Sequence, residues 1–397
     1  MKFSPKIQRC ELSPMRKYAP YADAARARGL RIFPLNIGQP DIATPKAFFD
    51  AVKGFDAPVL EYAPSDGVPA YLQAVCGYYH RLGHTDLGTG NILATNGGSE
   101  ALWITMSCLL SDGDEIIVPE PYYPNYSTFI TLSGGVVRPI PTTPEEGYHY
   151  ADRKKIESLI NERTRAIMIT NPGNPTGAVL TRAEMKMLAG LAHERGLFLV
   201  ADEVYREFSY DGEQLASMLE FPEAAENVIV IDSVSKRFSA CGARVGAIIS
   251  RNTEFLSEAM KCCQGRLCTA TLDQVGAAAL YNEGPEYFAA VKEEYRRRRD
   301  TAYEMLVQIP GVVCRKPEGA FYLMAKLPVD STDKFQVWML EHFSASGDTV
   351  MITPGEGFYT TPGKGVNEAR LAYVIQHDEL VRAMRVLAEG IEAYNNR

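Results

Sequence analysis

Six short apolar runs alternate with segments of helical periodicity along residues 91–232. Each run is rich in Val, Ile and Leu and has the length of a strand buried on both faces. Strands that alternate with helices form a mainly parallel sheet covered by helices. The sequence therefore predicts an α/β fold, with strands near residues 91–95, 115–119, 135–140, 165–170, 197–202 and 228–232.

The chain of 397 residues is longer than a single hydrophobic core usually supports, so two domains are expected. The alternating pattern ends near Gly284, which predicts a large domain at residues 46–284. A charged helical segment follows at 285–308, and then short strands near 320–325 and 349–353 and a helix from Asp378. This carboxyl-terminal part predicts a smaller α+β domain.

The composition argues against several classes of protein. A net charge of -8 gives no global field that would attract nucleic acid or an acidic membrane. No uncharged stretch approaches the ~20 residues of a membrane span, and the amino terminus lacks the apolar core of a signal peptide. The eight cysteines match no zinc-site spacing, so reduced thiols and no metal site are expected. We therefore expect a cytoplasmic protein without nucleic-acid or membrane partners.

A run of four arginines at 296–299 could suggest a polyanion site. Glu293 and Glu294 lie four residues before Arg297 and Arg298, which is the favourable order for ion pairs on a helix surface. The charges therefore predict a solvated helix.

A lysine and an arginine lie eight positions apart behind the last apolar run. Lys236 and Arg244 belong to SVSKRFSACGAR at 233–244, which would leave the carboxyl end of a strand, where open α/β sheets bind ligands. A partly desolvated lysine beside another cation loses proton affinity and can attack a carbonyl as a neutral amine. Arg244 suits a phosphate. The alternative is a solvated lysine with an arginine placed by chance.

Two further strings also follow predicted strands. Gly98 and Ser99 lie in ATNGGSEAL at 94–102, where backbone N–H groups and a helix dipole favour an anion. Asp202 ends the apolar run at 197–202, on the same edge of the sheet. Each has a plainer interpretation, because Gly-Gly is often only a turn and Asp often caps a helix.

Together with NPGNPTG at 171–177 and NEARLAY at 367–373, these strings resemble the class I pyridoxal-phosphate aminotransferases, the aspartate aminotransferase group of fold type I. The resemblance runs from Leu35 to Tyr373, with the motifs in the family's order. It implies a mainly parallel seven-stranded sheet in the large domain and a small domain that combines residues 1–45 with 285–397. It also implies a homodimer with active sites at the interface, and pyridoxal 5'-phosphate as the cofactor.

The resemblance implies a role for each residue of the cofactor site. Lys236 forms the Schiff base, and Asp202 holds the pyridine nitrogen protonated, so that the ring draws electrons from the substrate. Tyr123 stacks on the ring, with Tyr122 and Tyr126 as alternatives. Tyr205 and Asn174 contact the phenolic oxygen. The phosphate is held by Gly98, Ser99, Ser233 and Arg244, and by Tyr62 of the other subunit.

The family's substrate contacts fall on four positions. Arg370 binds the substrate's α-carboxylate through two hydrogen bonds, and Asn174 assists it. Gly38 brings a backbone N–H close to the same carboxylate. Arg370 could instead pair with a surface acid. Arg266 would read a distal carboxylate across the subunit interface, although it lies one residue off in the alignment. Other relatives bind the distal carboxylate with a lysine at the position of Ser99. The serine in this chain excludes that arrangement.

The implied function is a ping-pong transamination in which Lys236 is both anchor and acid/base. L-aspartate and 2-oxoglutarate are the leading substrate pair. A prephenate or aromatic aminotransferase and a carbon–sulfur β-lyase remain alternatives on the same fold, because their shared residues stabilise a common carbanion. A non-catalytic ligand-binding regulator is a distant alternative.

Overall fold

The computed structural model describes residues 1–211 and 215–397. The strands are β1 (Arg31–Pro34), β2 (Ile92–Thr95), β3 (Glu115–Glu120), β4 (Val136–Pro141), β5 (Thr164–Thr170), β6 (Phe198–Asp202), β7 (Val228–Ser233), β8 (Gly246–Ser250), β9 (Tyr322–Lys326), β10 (Asp348–Met351), β11 (Thr353–Pro354) and β12 (Glu368–Ala372).

The α-helices lie between and after these strands. They are α1 (Pro5–Gln8), α2 (Ala19–Ala27), α3 (Lys46–Lys53), α4 (Pro69–Arg81), α5 (Gly97–Leu109), α6 (Asn125–Leu132), α7 (Arg153–Glu157), α8 (Arg182–Arg195), α9 (Val234–Arg237), α10 (Thr253–Gly265), α11 (Thr271–Leu280), α12 (Pro285–Val307), α13 (Thr332–Glu341) and α14 (His377–Asn395). Among the described residues, no helix is both long enough and apolar enough to cross a membrane.

The main sheet has seven strands in the order β2-β8-β7-β6-β5-β3-β4, which confirms the predicted fold class. All neighbouring pairs are parallel except those of β8, which runs antiparallel to β2 and β7. The central strands β6 and β7 are buried along almost their whole length. Burial on both faces explains why these strands are continuous apolar runs in the sequence.

The topology brings the motif residues to one edge of the sheet. Because β8 is antiparallel to both β2 and β7, those two strands are parallel to each other and to β6. Their carboxyl ends therefore lie at the same edge, where β2 leads into Gly97, β6 ends at Asp202 and β7 ends at Ser233. Open α/β sheets bind ligands at this edge.

The amino-terminal segment packs with the carboxyl-terminal part of the chain. Strand β1 pairs in parallel with β10, and β9, β11 and β12 form a separate antiparallel sheet. One hydrophobic cluster joins Phe33 and Leu35 to Leu323, Leu371 and Leu387. This packing places the amino-terminal segment and the strands β9 and β12 beside the ligand-binding edge. The domain boundaries at residues 46 and 284 stay predictions.

Helix α12 differs from the expectation of a solvated charged helix. The guanidinium groups of Arg298 and Arg299 are buried, with residue exposures of 4% and 1%. Arg298 Nη1 donates to Asp41 Oδ1 at 2.7 Å, and Arg299 Nη1 donates to Asp211 Oδ2 at 2.6 Å. Buried charges require partners, so Arg298 and Arg299 form ion pairs that link α12 to other segments of the chain.

Candidate active site

A cavity of about 560 Å³ lies where the carboxyl ends of the parallel strands meet the amino-terminal segment and β12. Most of the predicted site residues line it: Gly38, Gly98, Ser99, Tyr123, Asn174, Asp202, Tyr205, Ser233, Lys236, Arg244 and Arg370. They come from seven separate stretches of the sequence, so the fold alone brings them together.

Lys236 lies in the short helix α9, which begins directly after β7. The side chain of Ser233 caps this helix by accepting from the N–H of Ser235 at 3.1 Å. The Lys236 Nζ donates to the backbone carbonyl of Gly38 at 2.9 Å and lies 3.7 Å from Sγ of Cys241. Neither partner is a carboxylate, so within residues 1–211 and 215–397 no ion pair holds the amine.

Asp202 is buried at the end of β6. Tyr126 Oη donates to its Oδ2 at 2.5 Å, and the backbone N–H of Val204 donates to its Oδ1 at 3.3 Å. Burial raises the pKa of Asp202 to about 6, while the Tyr126 hydrogen bond and nearby Lys236 act in the opposite direction. The carboxylate is thus mostly ionised at neutral pH, in surroundings where a cation would stabilise it.

The start of α5 forms a cradle for an anion. Its first residue, Gly97, has a φ of 74°, and a Cβ there would lie 2.6 Å from Nη2 of Arg244. Only glycine combines this left-handed backbone with so close an approach. Gly98 and Ser99 follow in the first turn, at the positive end of the helix dipole. Arg244 adds a positive charge beside them, which suits a phosphate.

Arg370 projects from β12 into the opposite side of the cavity and is only 2% exposed. Its Nη1 donates to Asn174 Oδ1 at 3.0 Å, and its Nη2 donates to the Asn36 carbonyl at 2.8 Å. Its Nε is buried without a partner among the described residues. A surface acid is therefore not its partner, and a bound carboxylate would use the donor left free.

Tyr322 of β9 joins the two sides of the site. Its Oη lies 2.9 Å from Oη of Tyr205, and the Arg370 guanidinium lies 4.4 Å from the centre of its ring. A Cβ on Gly38 would lie 1.8 Å from the Tyr322 hydroxyl, so glycine is required for this contact. No sequence signal marks Tyr322, because a tyrosine in an apolar strand is an ordinary core residue.

The three neighbouring tyrosines have different positions. Tyr123 and Tyr126 both line the cavity, whereas the hydroxyl of Tyr122 bonds to Ser127 and Thr360 instead. The Tyr126 hydroxyl donates its hydrogen bond to Asp202. Tyr123 therefore remains the candidate for stacking on a planar ligand, and Tyr126 has a role that the sequence did not reveal.

Two predicted residues lie outside the cavity. Tyr62 is 80% exposed on the surface. Arg266 pairs with Glu100 at 3.2 Å, and its Nη2 donates to the Ala94 carbonyl at 2.6 Å. Their predicted roles both depend on a second subunit and stay predictions.

The donor set fits pyridoxal 5'-phosphate: the Lys236 amine can meet its aldehyde, the cradle its phosphate, and the buried Asp202 carboxylate its ring nitrogen. Such a site on this sheet defines a fold type I enzyme that depends on pyridoxal phosphate.

Comparison with known proteins makes the assignment specific. The family model of aminotransferase class I and II matches residues 31–387, and the chain belongs to this family. It is a pyridoxal-phosphate-dependent transaminase.

The relatives and similar structures span nearly the whole chain. A probable aspartate/prephenate aminotransferase of Aquifex aeolicus is 29% identical, with 98% of each chain covered. An aspartate aminotransferase of Geobacillus stearothermophilus is 30% identical, with 94% of each covered. The structure of an aspartate aminotransferase from Thermus thermophilus with maleate is similar at a TM-score of 0.89 and 27% identity, covering 98% of this chain and all of that one.

Proposed function

We propose that this transaminase moves the amino group of L-aspartate to 2-oxoglutarate in two successive half-reactions at one site. The observation that carries the proposal is the shared cavity of Lys236, Asp202 and Arg370, since an amine, a carboxylate and a guanidinium lie around the same space. The names of the relatives support aspartate as the amino donor.

Arg370 binds and orients the substrate's α-carboxylate. Asn174 and the Asn36 carbonyl hold its guanidinium in place, so the α-carbon is directed toward the interior of the cavity. Gly38 lines the same cavity, where its lack of a Cβ admits the Tyr322 hydroxyl and lets the Gly38 backbone N–H approach the carboxylate.

Lys236 moves the proton. Its amine anchors the cofactor before substrate arrives, and then Nζ takes the proton from the substrate's α-carbon and holds it for return. When bound, pyridoxal phosphate supplies a conjugated ring that draws electron density away from that carbon.

The remaining cavity residues bind the cofactor. Asp202, which accepts a hydrogen bond from Tyr126, would keep a positive charge at the ring nitrogen, and Tyr205 and Asn174 would donate to the ring's phenolic oxygen. Tyr123 would cover the ring face. Gly98, Ser99, Ser233 and Arg244 would hold the phosphate.

The working form is a homodimer in which Tyr62 reaches the phosphate in the other subunit. The exposure of Val59, Leu60 and Tyr62 in one short stretch supports this, because large apolar side chains gathered on a surface are typical of interfaces. We also infer a cytoplasmic location, with which the eight free cysteines, all within the described residues, agree.

A second candidate substrate class consists of prephenate and aromatic amino or oxo acids. Two relatives are named aspartate/prephenate aminotransferases. The apolar cavity residues Ile32, Ile37 and Met351 also favour a larger apolar side chain.

The test is a single half-reaction on the cofactor-loaded enzyme without any oxo acid. L-aspartate, L-phenylalanine and the amino product of prephenate are added separately, and conversion of the cofactor to its amine form is followed by absorbance. Fast conversion by aspartate supports the leading pair. Conversion by only the cyclic substrates would replace aspartate with the second class, and conversion by none would overturn the proposal.

A further inference from the structure

The walls of the cavity carry more positive than negative charge. Among the described residues, Asp202 is the only acid that lines it, whereas five cations do: Arg16, Arg26, Lys236, Arg244 and Arg370. A cofactor and a substrate that both carry several negative charges would balance this excess.

Four of the five cations already have a partner or a proposed role. Lys236 anchors the cofactor, Arg244 faces its phosphate, and Arg370 binds the α-carboxylate. Arg26 pairs with Asp23 on its own helix at 2.9 Å. Arg16 remains, since its guanidinium has no hydrogen-bond or ion-pair partner within the part of the chain that the structure describes.

The segment around Arg16 is fixed on both sides. The preceding residue, Met15, accepts from Nη2 of Arg370 through its sulfur at 3.4 Å. Two residues further on, Tyr18 is buried and its hydroxyl donates to Asp333. Arg16 is therefore an exposed cation held at the mouth of the cavity, next to the residue that touches the α-carboxylate arginine.

We propose that Arg16 selects substrates with a second anionic group, by binding that group at the far end of the substrate's side chain. This inference rests on the proposed function, because it takes Arg370 as the binding site of the α-carboxylate. With that carboxylate fixed at Arg370, the rest of the substrate can extend toward the cavity mouth. Arg16 meets it there and can bind a carboxylate bidentately.

Arg266 is a weaker candidate for this role. Its Nε pairs with Glu100, and its Nη2 donates to both the Ala94 and Ser65 carbonyls. A guanidinium whose charge is already balanced by a carboxylate offers less attraction to a second one. Arg266 also lies outside the cavity of its own subunit.

The cavity that Arg370 and Arg16 share is partly apolar. Ile32, Ile37 and Met351 line the same cavity and carry no hydrogen-bonding side-chain groups. These walls fit the carbon skeleton of a substrate, while the two arginines would bind the acidic groups at its ends. The substrate class is thus an amino or 2-oxo acid with an acidic group at the end of its side chain.

The experiment compares Arg16→Gln with Arg26→Gln, its matched control on the same segment. The first readout is binding to the cofactor-loaded enzyme, by calorimetry, of maleate and of isocrotonate, which carries a methyl in place of one carboxylate. We expect Arg16→Gln to weaken maleate by about tenfold or more and isocrotonate by less than about twofold, because one charge-assisted pair is lost. Arg26→Gln should change neither.

The second readout is the half-reaction KM for L-aspartate against L-2-aminobutyrate, which should shift selectively in Arg16→Gln. Equal maleate binding by Arg16→Gln and the wild type overturns the inference, as does an equal loss of maleate and isocrotonate. A selective loss in Arg266→Gln alone would also overturn it and assign the role to Arg266. Failure of the wild type to react with any amino acid would instead overturn the proposed function, whatever the variants bind.

Discussion

Tyr126 Oη donates a hydrogen bond to Asp202 Oδ2 at 2.5 Å, and both side chains are buried. The interaction stabilises the ionised carboxylate against the cost of its burial, which raises the pKa of Asp202 to about 6. Tyr126 is therefore a positioning residue that helps to keep Asp202 charged at neutral pH.

Removal of the Tyr126 hydroxyl should make cofactor binding more sensitive to acid. In Tyr126→Phe the pKa of Asp202 rises further, so the pH below which cofactor affinity falls should move upward by about one unit. The measurement is the dissociation constant of pyridoxal phosphate between pH 5 and pH 8. Tyr122→Phe is the control, since its hydroxyl bonds to Ser127 and Thr360; equal profiles for the two variants would contradict the prediction.

Asp202→Asn should stabilise the cofactor-free protein at alkaline pH. Because the pKa of folded Asp202 lies above the ordinary value of 3.8, the folded protein binds the proton more tightly than the unfolded chain. The stability due to this proton is present below about pH 4 and is lost as the pH rises through about 6. The neutral variant should gain about 1–3 kcal/mol at pH 8 and almost nothing at pH 4, as measured by urea unfolding. A variant less stable than the wild type at pH 8 would refute this.

Lys236→Ala should lose turnover and keep its fold. In the proposed function the amine both anchors the cofactor and moves the α-proton, so the half-reaction rate should fall by at least about 10²–10⁴-fold. Stopped-flow absorbance measures this rate, and circular dichroism checks the fold. A variant that transaminated at the wild-type rate would exclude Lys236 from catalysis.

Arg370→Lys should raise KM for every amino acid substrate. A lysine cannot reproduce two parallel hydrogen bonds to a carboxylate, and it would also lose the contacts with Asn174 and the Asn36 carbonyl. We expect an increase of about tenfold or more for L-aspartate and L-2-aminobutyrate alike. Selective loss of aspartate alone would show that Arg370 reads the side chain instead.

Arg237→Met should destabilise the protein by about 3–5 kcal/mol in urea unfolding. Arg237 Nη2 donates to both carboxylate oxygens of Asp232, at 2.8 and 3.1 Å, and both side chains are fully buried. The substitution leaves a buried negative charge without its cation. The double variant Asp232→Asn/Arg237→Met should recover part of the loss, and no recovery would argue against this charge as the cause.

The sequence predicted most of the main sheet because its strands are buried on both faces and read as apolar runs. Strand β8 was missed, since Gly246–Ser250 begins two residues after the string at 233–244, with only the short α-helix α9 between it and β7. The predicted solvation of α12 was wrong for Arg298 and Arg299. Their partners Asp41 and Asp211 are far away in the chain, so helical spacing could not reveal them.

The site residues divide in the same way, into those that local sequence marks and those that only tertiary packing brings to the cavity. Asp202 ends a strand, and Gly98 and Lys236 each come three residues after one, so their strings predicted that they meet at one edge. Tyr322 and Arg16 reach the cavity only because the carboxyl-terminal sheet and the amino-terminal segment pack over that edge. No local pattern marks them, and only the assembled fold shows their neighbours.

The placement of Met15 against Arg370 has a practical consequence for enzymology. Arg16 and Lys17 are exposed and basic, so they offer a trypsin-like protease a cleavage site whenever the contacts of Met15 and Tyr18 open. A preparation cleaved at this site would keep its main sheet and its cofactor absorbance, but its Michaelis constants would change. Intact mass should therefore accompany each kinetic value, because spectroscopic purity alone would not detect the damage.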